Sequence, residues 1–252
     1  MCGRFTLTAT PEEVAALFEI LDLEDFPPRY NIAPTQPILM VTAGERQPPG
    51  SNLPDRRALL VRWGLIPRWA KDPRSLPLLI NARSETAIEK AAFRTAMRHR
   101  RALVPASGFY EWRTVGKKKQ PYYLRPRNGG LIGFAGLMET YAEPGGSEID
   151  TGAILTTSAS PDIAHIHDRM PVVIAREDQA RWLDCRTQEP RDVVDLMRPA
   201  EPGLFEAIPI SDLVNKVANT GAEIQDSVAP ETLAEEPKAK TTEADPRQIN
   251  LF

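Results

Sequence analysis

The chain has 252 residues, 42% hydrophobic and 26% charged, with a formal net charge of -3. That balance excludes a wholly disordered chain and suits one large core or two small ones. No apolar run approaches the roughly 18–20 residues of a membrane-spanning helix, and Met1-Cys2-Gly3-Arg4-Phe5 lacks the apolar stretch of a signal peptide, so a cytoplasmic protein without membrane contact is expected.

Arg4-Phe5-Thr6-Leu7 reads as a short strand. Thr10-Pro11-Glu12-Glu13 opens a helix, with a Thr cap, Pro at the first helical position and Glu three residues after the cap. Val14, Leu17, Phe18 and Leu21 continue it at helical spacing. A proline-rich loop follows, carrying Pro27, Pro28, Pro34 and Pro37. Strands are expected at 38–42, 58–66, 102–105, 121–125, 131–136, 152–157, 171–175 and 205–210. Helices are expected at about 84–98, capped by Ser84, and at 177–184 and 191–197. This pattern predicts an α+β fold: a mainly antiparallel sheet or barrel-like core with a few peripheral helices. From residue 222 the chain turns to Glu, Ala, Pro, Thr and Lys, so a folded domain over 1–221 and a disordered acidic tail over 222–252 are expected.

Charge is unevenly placed. Residues 221–252 carry a net -4 and residues 1–220 a net +1, yet residues 56–101 alone hold twelve Lys/Arg against Asp72, Glu85 and Glu89. Such a run is either a solvated face or a phosphate-binding surface, and Trp63 and Trp69 within it suit a single nucleic-acid strand held by cations and stacking rings. Arg98, Arg100 and Arg101 can equally complement the end of a helix.

Four local features can carry chemistry. Loss of Met1 would leave Cys2 with a free α-amine beside its thiol, a 1,2-aminothiol that condenses with aldehydes to a thiazolidine; otherwise Cys2 is an ordinary small residue. Glu111 in Gly108-Phe109-Tyr110-Glu111-Trp112 would have a raised pKa if buried, and would be an ordinary carboxylate on an exposed strand edge. In His165-Ile166-His167-Asp168-Arg169, one histidine can act as acid/base with the arginine as anion clamp, or both histidines can be structural. Asn81 and Arg83 precede a helix start, a natural anion site or a plain cap. With only His99, His165 and His167, and no CxxC or HExxH, no metal or cofactor is expected. Two cysteines, Cys2 and Cys185, make no disulfide scaffold.

Taken together, seven blocks occur in order: Met1-Cys2-Gly3-Arg4-Phe5, Tyr30-Asn31-Ile32-Ala33-Pro34-Thr35, Arg62-Trp63-Gly64-Leu65-Ile66-Pro67, Asn81-Ala82-Arg83-Ser84-Glu85-Thr86, Gly108-Phe109-Tyr110-Glu111-Trp112, Thr156-Thr157 and His167-Asp168-Arg169-Met170-Pro171. Over residues 2–215 the chain resembles the SRAP (SOS response-associated peptidase) family, whose members shield abasic sites. The resemblance implies the SRAP fold, and as substrate an abasic site in single-stranded DNA, whose ring-opened sugar is an aldehyde. It implies that Cys2 forms a covalent thiazolidine crosslink that shields the lesion during replication and the SOS response. Glu111 and His167 would transfer protons and Asn81 would position the Cys2 amine. Arg4, Arg83 and Arg169 would contact phosphates with Thr156 beside them, and Trp69 would stack on a base. Lyase activity would follow where ring closure fails. His165 and Cys185 match no role and are taken as structural.

Gln248-Ile249-Asn250-Leu251-Phe252 resembles the bacterial sliding-clamp-binding pentapeptide, with Gln248 as anchor and Leu251 and Phe252 filling an apolar pocket. Chance, or a tail docking on its own domain, are the other readings. A nucleoid-associated cytoplasmic protein is then expected. Two alternatives stand beside covalent capture: a cysteine-type peptidase or amidohydrolase using Cys2 and His167, and a non-catalytic single-strand binder.

Overall fold

The computed structural model describes residues 2–229 apart from 46–47, 49, 52–54 and 144. In chain order the elements are β1 (Phe5–Leu7), α1 (Pro11–Phe18), β2 (Arg29–Ile32), β3 (Pro37–Ala43), β4 (Arg56–Trp63), β5 (Asn81–Arg83), α2 (Ser84–Ala87), α3 (Arg94–His99), β6 (Arg101–Ala106), β7 (Gly108–Val115), β8 (Lys118–Pro126), β9 (Ile132–Ala142), β10 (Glu148–Ser158), β11 (Arg169–Pro171), β12 (Val173–Ile174), α4 (Gln179–Leu183) and β13 (Phe205–Pro209). The remaining helical segments are 3-10 turns.

Pairing runs β4–β3–β6–β9–β10 and returns from β10 to β4, closing a five-stranded barrel. All contacts in this ring are antiparallel except β10–β4. Closure removes the exposed edges that an open sheet would leave. The interior is tight around Met40: a Cβ at Gly152 would lie 2.4 Å from the Met40 sulfur, so any side chain there would force Met40 to move. An antiparallel sheet ordered β13-β8-β7-β1-β2 lies against the barrel. The seam is aromatic, with Phe5 edge-on to Trp63 at 5.2 Å and both Phe5 and Phe109 edge-on to Phe134.

The barrel opens at one end because β10 outruns its neighbours. Its middle pairs with β9 and β4, but its last residues pair with β5 on one side (Thr156↔Arg83) and β11 on the other (Ser158↔Arg169). This fork sets two distant segments of sequence on either side of one strand.

The expected α+β class with an antiparallel barrel-like core is what the structure shows. The Thr10 capping box forms as read: Glu13 N–H donates to the Thr10 hydroxyl, and the Thr10 N–H donates to the Glu13 carboxylate at 2.8 Å. Three short or aromatic strands, β2, β5 and β7, were absent from the sequence-based assignment. The helix expected over 84–98 is instead two, α2 and α3. Ser84 does not cap it; Arg83 holds the cap position without a side-chain bond. The Ala91 carbonyl in the break accepts the Trp69 indole N–H at 3.2 Å. The expected boundary at 221/222 also moves. Ala222–Gln225 forms a 3-10 turn that buries Ile224 against Tyr110, Tyr123, Ile210 and Val214, so the fold runs past it. Gln248, Leu251 and Phe252 lie outside the described residues.

The basic run 56–101 divides. Arg101 is 1% exposed, and its guanidinium donates to the carbonyls of Met97, Trp182, Asp184 and Gln188. It therefore serves the core rather than a helix end. Arg56 is likewise tied to Phe18, Gln179 and Glu19. Arg68, Arg74, Arg83 and Arg94 remain on the surface.

Candidate active site

Cys2 sits at the entry to β1, wholly buried. Two elements hold this end. The Tyr110 N–H of β7 donates to the Arg4 carbonyl at 3.0 Å, and Asn81 Nδ2 of β5 donates to the Cys2 carbonyl at 2.8 Å. The Asn81 Oδ1 is buried without a hydrogen-bond partner among the described residues. An unpaired buried acceptor is costly, and it lies on the side chain that grips Cys2. The Cys2 thiol hydrogen-bonds to the Arg4 carbonyl at 3.5 Å. Burial, and after it the Glu111 charge, push this thiol well above its ordinary range.

Glu111 comes from β7, one strand over from β1. It is 2% exposed, and burial raises its pKa from 4.5 to about 7. The exposed-edge alternative for this residue is thereby removed. His167, in the turn before β11, places Nε2 3.9 Å from Glu111 Oε2. The Arg169 N–H faces His167 Nδ1 at 3.0 Å, and the same ring nitrogen lies 3.2 Å from Asp168 Oδ1 and 3.3 Å from the Arg169 carbonyl, so Nδ1 is held by the protein while Nε2 is left for the carboxylate side. Burial holds the His167 pKa below its ordinary value, so the ring is largely neutral at pH 7. At 3.9 Å the two atoms are too far apart for a direct hydrogen bond and close enough for both to reach one group lying beside them.

Across the β10 fork, Arg169 and Arg83 flank Thr156. Arg83 is exposed. The Arg169 Nη2 donates to the Thr156 carbonyl at 2.6 Å, and both terminal nitrogens meet the Glu85 carboxylate at 2.5 and 2.9 Å. Thr156 is fully buried, so it acts here as a carbonyl prop for Arg169 and presents no hydroxyl to solvent. Arg4 is turned inward, donating to Asn31 Oδ1 at 2.6 Å and the Val214 carbonyl at 2.8 Å. Trp69 stands out from the turn after β4, 57% exposed. The fold thus gathers Cys2, Asn81, Glu111 and His167, ranges Arg83 and Arg169 beside them, and ties Arg4 into the scaffold.

Two residues escaped the sequence reading. Asn31 anchors Arg4 and also donates to the carbonyls of Lys216 and Asn219, fastening the 211–219 segment over the site's flank. Glu85 is the counter-ion of Arg169. Both lie inside motif blocks, which was the available signal. Among the described residues no three His, Cys, Asp or Glu side chains gather to hold a metal, and no helix is long and apolar enough to cross a membrane.

A family model described as SOS response associated peptidase (SRAP) matches residues 1–217. The chain is 37% identical over 231 residues to the abasic site processing protein YoqW of Bacillus subtilis (strain 168), covering 90% of this chain and 100% of that protein. It is 33% identical over 235 residues to the abasic site processing protein YedK of Escherichia coli (strain K12), covering 89% of this chain and 98% of that one. A solved structure of a protein from Bacteroides thetaiotaomicron superposes with a TM-score of 0.79 at 23% identity, over 90% of this chain and 100% of that one, and shows the shared fold. Motif order, fold and overall similarity agree: this chain belongs to the SRAP family.

Proposed function

We propose that the protein captures abasic sites in single-stranded DNA as a covalent thiazolidine through Cys2, once Met1 has been removed. The observation that carries this reading is the buried Glu111, with the partly exposed His167 next to it, set beside a Cys2 whose carbonyl is gripped by Asn81. Similarity to abasic site processing proteins supports the substrate class.

The chemistry follows from the groups present. The Cys2 amine adds to the C1' aldehyde of the ring-opened sugar. The carbinolamine hydroxyl is protonated and leaves as water, giving an imine. The thiol sulfur then adds to the imine carbon and its proton passes to nitrogen, closing the five-membered ring. Glu111, poised near pH 7, accepts a proton from the amine and returns one to the leaving hydroxyl; His167 Nε2–H donates to the sugar oxygen. The free Asn81 Oδ1 would accept a hydrogen bond from the new α-amine. Arg83, Arg169 and Trp69 would hold the strand.

The peptidase alternative is less well served. A thiol nucleophile needs a thiolate beside a base. Here the thiol bonds to the Arg4 carbonyl and burial favours its protonated form.

The test is denaturing-gel mobility after mixing Met1-processed protein with a single-stranded abasic oligonucleotide. A shifted, boiling-resistant band that needs both the lesion and Cys2 is expected; Cys2→Ser should give none. Equal bands from both proteins would sink the proposal. The C-terminal pentapeptide adds a second proposed partner, the bacterial sliding clamp, which would bring the protein to replicating DNA. Removing residues 248–252 should abolish clamp binding and spare crosslinking; unchanged clamp affinity would exclude it.

A further inference from the structure

Arg169 is largely enclosed, its side chain 14% exposed, while its partner Glu85 is 50% exposed. The contact is bidentate, the same fork that an arginine offers to a phosphate. The rest of the guanidinium faces protein: Nη2 reaches the Thr156 carbonyl, and Nε is buried without a partner among the described residues. Among the described residues, the polar group on the Arg169 guanidinium that can leave into water is therefore the Glu85 carboxylate, carried by the four-residue helix α2. Arg83, two residues earlier, is exposed and lies directly across Thr156.

From this geometry we infer that Glu85 occupies the seat of a DNA phosphate on Arg169 and is displaced when the strand arrives. The inference rests on the reading that this face binds single-stranded DNA. Glu85 is then a specificity residue. A free phosphate has to displace a tethered carboxylate of high effective concentration. A strand already held on Arg83 and Trp69 makes the exchange within the complex. The seat thus favours a polyanion over a single phosphate.

The experiment measures binding of full-length protein to a labelled, intact single strand over a series of salt concentrations, for wild type, Glu85→Gln, Arg169→Ala and the double variant. Glu85→Gln should tighten binding roughly 3–10-fold at low salt, since one more cation is left for the strand. Its log-affinity against log-salt slope should steepen by about 0.7. With Arg169→Ala in place, Glu85→Gln should change affinity less than about twofold. Inorganic phosphate should compete with the strand better in Glu85→Gln than in wild type. Weaker or unchanged binding by Glu85→Gln would overturn the inference, since Glu85 would then only orient Arg169. Equal tightening in both backgrounds would also overturn it, leaving general repulsion. Wild type that binds no single strand at all would remove the DNA reading and this inference together. Arg169→Lys, which loses the fork geometry, replaces Arg169→Ala should the latter not fold.

Discussion

Arg101 and Arg169 sit at opposite ends of the barrel and are both largely enclosed, but they are satisfied differently. Arg101 is bonded to four backbone carbonyls and lies 5.7 Å from the Trp182 ring centre. None of those partners can leave without unfolding. Arg169 is held by one carbonyl and by a side-chain carboxylate half in solvent. The same residue type is a rivet at one end and an exchangeable ligand site at the other. What distinguishes them is the mobility of the acceptor, not the depth of the cation.

The largest effect that sharpens this contrast is at the riveted end. Arg101→Met strands four carbonyls in the core and should lower unfolding stability by about 3–5 kcal/mol in urea melts. Arg169→Met should cost well under half of that. A reversed order would break the comparison.

Next comes Glu111→Gln, which removes the proton carrier and should slow crosslinking by about 100-fold or more at pH 7. Stability should move the other way. The native carboxyl binds its proton up to about pH 7, against an ordinary value of 4.5. The contribution of Glu111 to stability is therefore fully present below that ordinary value and is lost as pH rises from it to about 7. Glu111→Gln should flatten that decline, as melting temperatures across the range would show.

Trp69→Ala should weaken binding of a single strand by about 1–3 kcal/mol in a titration, with the fold intact. The smallest effect is expected at Arg98, whose 3.2 Å bridge to Glu189 is exposed on both sides. Arg98→Ala should change stability by less than about 0.5 kcal/mol. A large loss there would mean that surface pairs carry more of this fold than the buried carbonyl network.

The sequence disclosed some of this and concealed the rest for physical reasons. The Thr10 capping box is local, so it could be read and it forms. The strand-rich core followed from alternation and turn residues. β5 has three residues, too few for any periodicity, and it is a strand only because β10 outruns β4. Arg98 and Arg101 look alike in a basic run; only the return of the 182–188 segment over β6 separates the surface residue from the core one. Glu85 was visible within its block, yet its pairing with Arg169 spans 84 residues. Ile224 was lost in polar surroundings because a single apolar residue carries no pattern, although it closes the small cluster around Tyr110.

The β10 fork has a consequence in time. Cys2 is among the first residues made, but the Asn81 that grips it comes 79 residues later, and Asn81 is itself seated on a strand ending at Ser158. The pairings that bring Asn81, Glu111 and Arg169 into place are long-range, and such contacts form late. The emerging chain therefore carries an unarmed cysteine through most of its synthesis, and the reactive set is complete only when the barrel has shut.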